Sequence, residues 1–288
     1  MSLLNSLKNS VTKNLTINQT RLLRNIIEPP FLYSQLSKRS ALILGCQRSG
    51  TTLTFLILNS HPQIKGIDET QSNYSFPHQS FLYRYAKNDN LVCLKLPNQT
   101  FNLKYITQHF PQAKIIWPVR NPYMVISSMR SFIVEGKKKQ GNWLDFYVKE
   151  ELIGLSNFLP AILSLDLDNL DNISLASHLW NYKNLALEKY RQAGLDTFVF
   201  RYEDLLDNPR KVIDENLNFL GLVWDDVVLN HHTYYSGHTK RYPGGTRGDR
   251  PINRSYKKRK PNLTQQEIRT VSSICREYML AYGYKVNS

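Results

Sequence analysis

The sequence predicts an α/β fold, three layers deep, in which a central parallel β-sheet is flanked by helices and a helical insertion lies over one end of the sheet. Short apolar runs closed by glycine or a turn alternate with stretches of helical composition, and the alternation recurs along the chain. Such alternation calls for crossover connections, and these give a parallel sheet covered on both faces. With 41% hydrophobic residues in 288, the chain can bury a large core.

The elements follow in order. Residues 1–40 form a basic, polar-rich, loosely helical lead-in. The apolar run 41–44 reads as a buried strand ended by Gly45, and 51–59 as a helix stopped at His61-Pro62. Residues 91–94 and 114–117 repeat the strand pattern. Residues 102–109 and 122–133 repeat the helix, the second with Pro122 in its first turn. Two further helices, 143–158 and 175–191, are joined by the turn-like stretch 166–172, and 137–193 is read as the insertion. Residues 197–200 are a strand, and 209–220 a helix closed by Gly221. The last helix, 264–282, opens on a capping box of Thr264 and Glu267. No repeat of roughly 20–50 residues divides the chain, so 41–288 is expected to be one domain behind the lead-in.

Charge is unevenly placed. The chain holds 37 Lys+Arg against 23 Asp+Glu, a formal +14. Residues 1–40 contribute +5 and 237–260 contribute +8, so the remainder is close to neutral. Charge concentrated in this way attracts a polyanion: nucleic acid, an anionic membrane or a phosphorylated small molecule. No apolar run approaches the ~18 residues of a spanning helix, and the first residues lack a signal-peptide pattern. The three cysteines (Cys46, Cys93, Cys275) are unclustered and odd in number. That argues against a disulfide framework and for a reducing, cytoplasmic setting. His231-His232 is the one pair at ligand spacing and reads as a solvated loop, so no metal is expected.

The informative segment is Gly45-Cys46-Gln47-Arg48-Ser49-Gly50-Thr51-Thr52, which follows a strand and opens a helix. Unpaired N–H groups and the dipole at a helix N-terminus favour a phosphate there, and the two glycines permit the tight turn. The glycine spacing and Thr52 match the G-x-x-x-x-G-K-[ST] pattern, so the expected fold is P-loop-like. The lysine slot, however, holds Thr51. Without that lysine ATP cleavage loses its main electrostatic clamp; the nearest cation is Arg48. A second segment, Arg120-Asn121-Pro122, follows a strand, and Ser128 lies further along the same helix. A guanidinium and a hydroxyl so placed make a clamp for a terminal phosphate. A third, Arg201-Tyr202-Glu203-Asp204-Leu205 with Asn208-Pro209 behind it, closes a strand and starts a helix.

These three segments resemble the landmarks of the PAPS-dependent sulfotransferases. Arg48-Ser49-Gly50-Thr51-Thr52 is similar to the family's 5′-phosphosulfate loop and Arg120 to Ser128 to its 3′-phosphate motif. Arg201 to Pro209, ahead of Phe219-Leu220-Gly221-Leu222, resembles its third landmark. The likeness covers roughly 41–282 and implies a donor, 3′-phosphoadenosine 5′-phosphosulfate (PAPS), whose sulfuryl group passes to a hydroxyl or amine acceptor by in-line displacement, without a metal. It further implies that Gln47, Arg48, Ser49, Gly50, Thr51 and Thr52 cradle the 5′ end, with Arg48 also contacting the sulfuryl group. Arg120 and Ser128 would then hold the 3′-phosphate, with Tyr202 beside the adenine. Ser255 and Lys258, in the basic stretch before the last helix, stand where the family closes over the 3′-phosphate, although the usual Arg-Lys-Gly form is missing.

The stretch Leu94-Lys95-Leu96-Pro97 lacks the histidine of the family's cytosolic small-molecule branch. The Arg-Ser-Gly-Thr-Thr loop and Gly66-Ile67-Asp68-Glu69-Thr70 look more like the tyrosylprotein and bacterial carbohydrate-type branches. There an acidic residue is the general base, a role carried to Glu69 with Asp68 as the alternative, and Lys95 would contact the sulfuryl group. The acceptor is a small molecule, carbohydrate or peptide, anionic if the +8 stretch serves it. Its site would be shaped by 137–193 and by Tyr74, Phe76, His78, Phe81, Tyr83 and Tyr85. Neither a membrane span nor nucleic-acid binding is expected, and the sequence is silent on oligomeric state. Two other readings remain: an ATP-dependent small-molecule kinase on the same loop, and a basic nucleic-acid-binding protein, for which aromatic and basic residues are not interleaved.

Overall fold

The computed structural model describes residues 36–77, 82, 90–134, 141–237, 241–242, 245–253, 255 and 259–287. Five parallel strands, β1 (Ser40–Ile43), β2 (Ile64–Asp68), β3 (Leu91–Lys95), β4 (Lys114–Val119) and β5 (Thr197–Arg201), form one sheet in the order β2-β3-β1-β4-β5. Both faces are covered, which is why the strand sequences are nearly all apolar. Successive residues nonetheless divide between the faces. Leu42, Leu44, Val92, Leu94, Ile115 and Trp117 join one apolar cluster, and Ala41, Ile43, Leu91, Cys93 and Ile116 the other.

The first cluster is closed by α2 (Leu103–His109), α3 (Pro122–Arg130), α4 (Trp143–Phe146), α5 (Val148–Ser156), α6 (Asn172–Gln192) and α10 (Gln265–Ala281). On the other face lie α1 (Thr51–Asn59), α7 (Tyr202–Asp207) and α8 (Pro209–Leu220). The short helix α9 (His231–Tyr234) and a two-stranded hairpin, β6 (Arg241–Tyr242) with β7 (Thr246–Arg247), follow α8. This is the three-layer, P-loop-like arrangement expected. Among the described residues no helix is long and apolar enough to cross a membrane.

Topology places the site. From β1 the chain moves outward to β2, returns to β3, and then crosses to β4 on the other side of β1. The strand order thus reverses at β1, and in open parallel sheets such a reversal leaves a crevice beyond the carboxyl ends of the strands. Gly45, Glu69, Lys95, Arg120 and Tyr202 all stand at or just after those ends.

The structure departs from the sequence reading in several places. β2 lies in Ile64-Lys65-Gly66-Ile67-Asp68, a stretch with no continuous apolar run. Gly66 lets it lie against α1, because the Asn59 Oδ1 accepts the Gly66 N–H at 2.6 Å and a Cβ would stand 2.4 Å from that oxygen. The helix expected at 143–158 is two helices, broken where Tyr147 leaves the helical region at φ −122°. The helix from Pro122 stops at Arg130 rather than 133. His231-His232 is no solvated loop: His231 sits in α9 with no exposed surface, and burial holds its imidazole down at about pH 4. Residues 1–35 of the lead-in, His78, Phe81, Tyr83, Tyr85 and Lys258 lie outside the described residues.

Candidate functional site

The loop after β1 is shaped by its glycines. Gly45 (φ +103°) and Gly50 (φ +100°) both take left-handed backbone, where a side chain is strained, and both are crowded. A Cβ on Gly45 would stand 3.1 Å from the Trp117 Nε1, and one on Gly50 would collide with the Tyr202 ring at 2.3 Å. Arg48 is left-handed as well (φ +68°), an uncommon cost for a residue with a side chain. Gly50 caps α1 without a side-chain cap, so the first turn at Thr51 and Thr52 offers its N–H groups to the crevice.

Two guanidiniums converge on this loop. Arg48 Nε donates to the Ser128 Oγ at 3.1 Å, and its guanidinium lies 5.3 Å from the centre of the Phe132 ring. Arg120 Nη1 donates to the Arg48 carbonyl at 3.0 Å and stacks 4.7 Å over Tyr202. The Trp180 indole N–H donates to the Arg120 carbonyl at 3.0 Å. Burial pulls the Arg48 guanidinium down to about 10, and the charge of Arg120 adds to it. Arg120 is lowered by burial too, with Arg259 contributing. Two half-buried cations that disfavour each other are stabilised by an anion placed between them.

The polar groups beside them fit the same ligand. Ser49 is 1% exposed, and among the described residues its hydroxyl has no partner beyond the weakly bonding Cys46 thiol. The Gln47 Oε1 is likewise buried without a partner among the described residues. Orphaned buried polar atoms are costly unless something satisfies them. The donor implied by the motifs carries phosphate oxygens at both ends; the Ser49 hydroxyl can donate to one of them, whereas the Gln47 Oε1, itself an acceptor, needs a donor instead.

Glu69 and Lys95 stand across the crevice. Lys95 has no exposed surface; its Nζ pairs with the Glu69 Oε1 at 2.8 Å and donates to the Thr52 Oγ1 at 3.3 Å. Burial raises the Glu69 carboxyl above the ordinary carboxylate value, against the pull of Lys95. Asp68 is differently engaged: its Oδ1 accepts from Thr70 N (2.8 Å), Thr70 Oγ1 (2.5 Å) and Gln71 N (3.0 Å), tying the turn after β2. Tyr74, 51% exposed and left-handed at φ +58°, is held next to Glu69 by a 2.6 Å backbone bond to the Glu69 carbonyl. Glu69 and Tyr147 lie near enough that both, after burial, raise the Tyr74 hydroxyl.

The structure therefore gathers Gln47 to Thr52, Arg120, Ser128 and Tyr202 around one loop, with Glu69 and Lys95 at its edge. Tyr202 closes on Gly50 and lies beneath Arg120. Ser255 is exposed, its N–H bonded to the Asn253 Oδ1. Among the described residues of the basic stretch, the cation whose charge contributes at Arg120 is Arg259, singled out in the sequence only as part of the run 257–260. Asn262 N donates to the Ser127 Oγ at 2.8 Å, which pins that stretch to α3. Phe76 stacks on Tyr105 at 4.7 Å and, half-buried, packs against the edge of the core.

A family model described as the Sulfotransferase family matches residues 73–226, more than half of the chain. The chain belongs to the sulfotransferase family. The matched residues include Lys95, Arg120, Ser128 and Tyr202; the phosphate loop and Glu69 precede them. Among solved structures, the sulfotransferase domain from the curacin biosynthetic pathway is similar at 16% identity and a TM-score of 0.51, over 85% of this chain and 98% of that domain. The sulfotransferase domain of the Synechococcus PCC 7002 olefin synthase is similar at 19% identity and a TM-score of 0.49, over 85% and 95%. The first likeness supports a shared sulfotransferase fold.

Proposed function

We propose that this sulfotransferase-family protein transfers a sulfuryl group from PAPS to a hydroxyl or amine acceptor. The observation that carries the reading is the pair Arg48 and Arg120: two half-buried guanidiniums, tied to each other and to Ser128, at the open end of α1. Arg120, Ser128 and Arg259 would hold the 3′-phosphate, and Gln47 to Thr52 the 5′ end, with Tyr202 against the adenine. Ser255 and Lys258 stay candidates for the same closure. The donor supplies an activated sulfuryl group; the chain supplies charge, orientation and a base.

Arg48 and Lys95 stand where negative charge would grow during transfer, and fixed cations in a buried site act there without reorganising. Glu69 would take the acceptor's proton. Its raised carboxyl suits a base, and a group in that role contributes about 10²–10⁴-fold. Asp68, committed to its turn, is the weaker candidate. Tyr74 lies near both Glu69 and Tyr147, so the acceptor would enter between the turn after β2 and the helices of 137–193. A small molecule, a carbohydrate or a peptide could present its hydroxyl or amine there. Three free, buried cysteines fit a cytoplasmic setting.

Titration calorimetry with adenosine 3′,5′-bisphosphate, ATP with Mg²⁺, and duplex DNA tests the reading. The bisphosphate is expected to bind in preference to ATP, and DNA only with a steep salt dependence. Tighter binding of Mg-ATP would favour the kinase reading and overturn this one.

A further inference from the structure

A second buried lysine lies behind the loop, where the transfer described above makes no use of it. Lys183, on α6, has no exposed surface; its Nζ donates to the Pro97 carbonyl at 2.7 Å and pairs with the Glu151 Oε2 of α5 at 3.0 Å. Pro97 opens a single 3₁₀ turn, Pro97–Gln99, two residues beyond Lys95. The turn leads to Thr100, also fully buried. Thr100 Oγ1 stands 2.7 Å from the Pro97 carbonyl and 3.2 Å from the Gly45 carbonyl, and it accepts the Gly45 N–H at 3.1 Å. Two turns along α6 from Lys183, the Tyr190 hydroxyl donates to the Thr100 carbonyl at 2.8 Å.

One side of this network is therefore the turn that begins two residues beyond Lys95, and the other is the first residue of the phosphate loop. Cys46, the next residue of the loop, feels the charges of both Lys183 and Glu151. Stability alone does not account for the pair. A buried ion pair gains little over well-packed apolar residues of the same volume, and the surroundings of α5 and α6 are apolar.

We propose that Lys183, with Glu151, Thr100 and Tyr190, is a positioning strut that sets the distance between the phosphate loop and Lys95. Through it the helices of 137–193 hold the 5′ half of the nucleotide site in shape. Arg120 and Ser128, at the 3′ half, are fixed by other contacts. The inference rests on the reading of the loop as the site of the 5′-phosphosulfate.

The two halves can be probed separately. Adenosine 3′,5′-bisphosphate engages both ends of the site, whereas adenosine 3′-monophosphate lacks the 5′ group. In Thr100→Val, and in the apolar replacement Lys183→Met/Glu151→Leu, bisphosphate affinity is expected to fall about tenfold, the scale of one lost buried hydrogen bond. Affinity for the 3′-monophosphate should stay within about twofold, and Thr100→Ser should restore the bisphosphate. Melting curves recorded alongside report the fold. Equal loss of both nucleotides would mean a general loosening and would overturn the strut, as would unchanged affinity for both in a folded variant. Wild-type protein that binds neither nucleotide would instead remove the underlying reading, and the strut with it.

Discussion

Arg48→Met is expected to slow sulfuryl transfer by about 10²–10³-fold, the cost of removing one preorganised charge from a reacting centre. The thermal midpoint of the same variant should hold or rise. Burial and the neighbouring Arg120 already push the Arg48 guanidinium down to about 10, so a neutral side chain of similar length relieves a strain in the empty protein. A residue kept for stability would show the opposite pattern, with the midpoint falling and the rate per folded molecule preserved. Steady-state kinetics beside calorimetric melting separates the two. The affinity for adenosine 3′,5′-bisphosphate should fall less than the rate, because Arg120 and Ser128 remain.

Glu69→Gln is expected to lower kcat by about 10²–10⁴-fold and to leave bisphosphate binding intact. It should also cost stability, since Lys95 is fully buried and loses its counter-charge; one partner removed from a buried pair costs about 3–5 kcal/mol. Rates must therefore be measured well below the variant's melting transition. The pH profile adds a second check. The base must be ionised to act, and burial raises the Glu69 carboxyl above 4.5, so kcat/KM of the wild type should fall as pH drops through a value above the ordinary carboxylate range. Lys95→Met removes the charge that opposes this shift, so the acid limb should move to still higher pH. Full activity in Glu69→Gln, or an acid limb unmoved by Lys95→Met, would remove Glu69 from the role.

Much of the framework could be read from the chain because its signals are local. The runs at β1, β3 and β4 are uninterrupted and apolar, Pro209 and Gly221 mark the two ends of α8, and Thr264 with Glu267 forms the capping box expected for α10. The loop of 45–52 announced itself through glycine spacing, and the left-handed angles at Gly45 and Gly50 are the reason for that spacing. What escaped depends on distant partners. β2 is held by Asn59 and accommodates α1 through Gly66, so neither alternation nor a long apolar run marks it. The break at Tyr147 has no proline or glycine to signal it.

The same limit applies to charge. Lys183 lies in a helix of ordinary amphipathic composition, and only the fold brings it to Pro97 and Glu151. Lys95 is equally ordinary in sequence, yet it is fully enclosed beside Glu69. His231 follows an asparagine in what looks like a polar loop, and its complete burial cannot be seen from the pair itself. In the basic stretch, the sequence singled out Ser255 and Lys258, whereas among the described residues of that stretch it is Arg259 that adds to the lowering of Arg120 by burial.

The decisive measurement is a crystal structure of the protein with adenosine 3′,5′-bisphosphate. Density for one phosphate is expected against the amides of Ser49 to Thr52, and for the other between Arg120 and Ser128. A nucleotide bound elsewhere, with Arg48 and Arg120 still packed as they are here, would contradict the account.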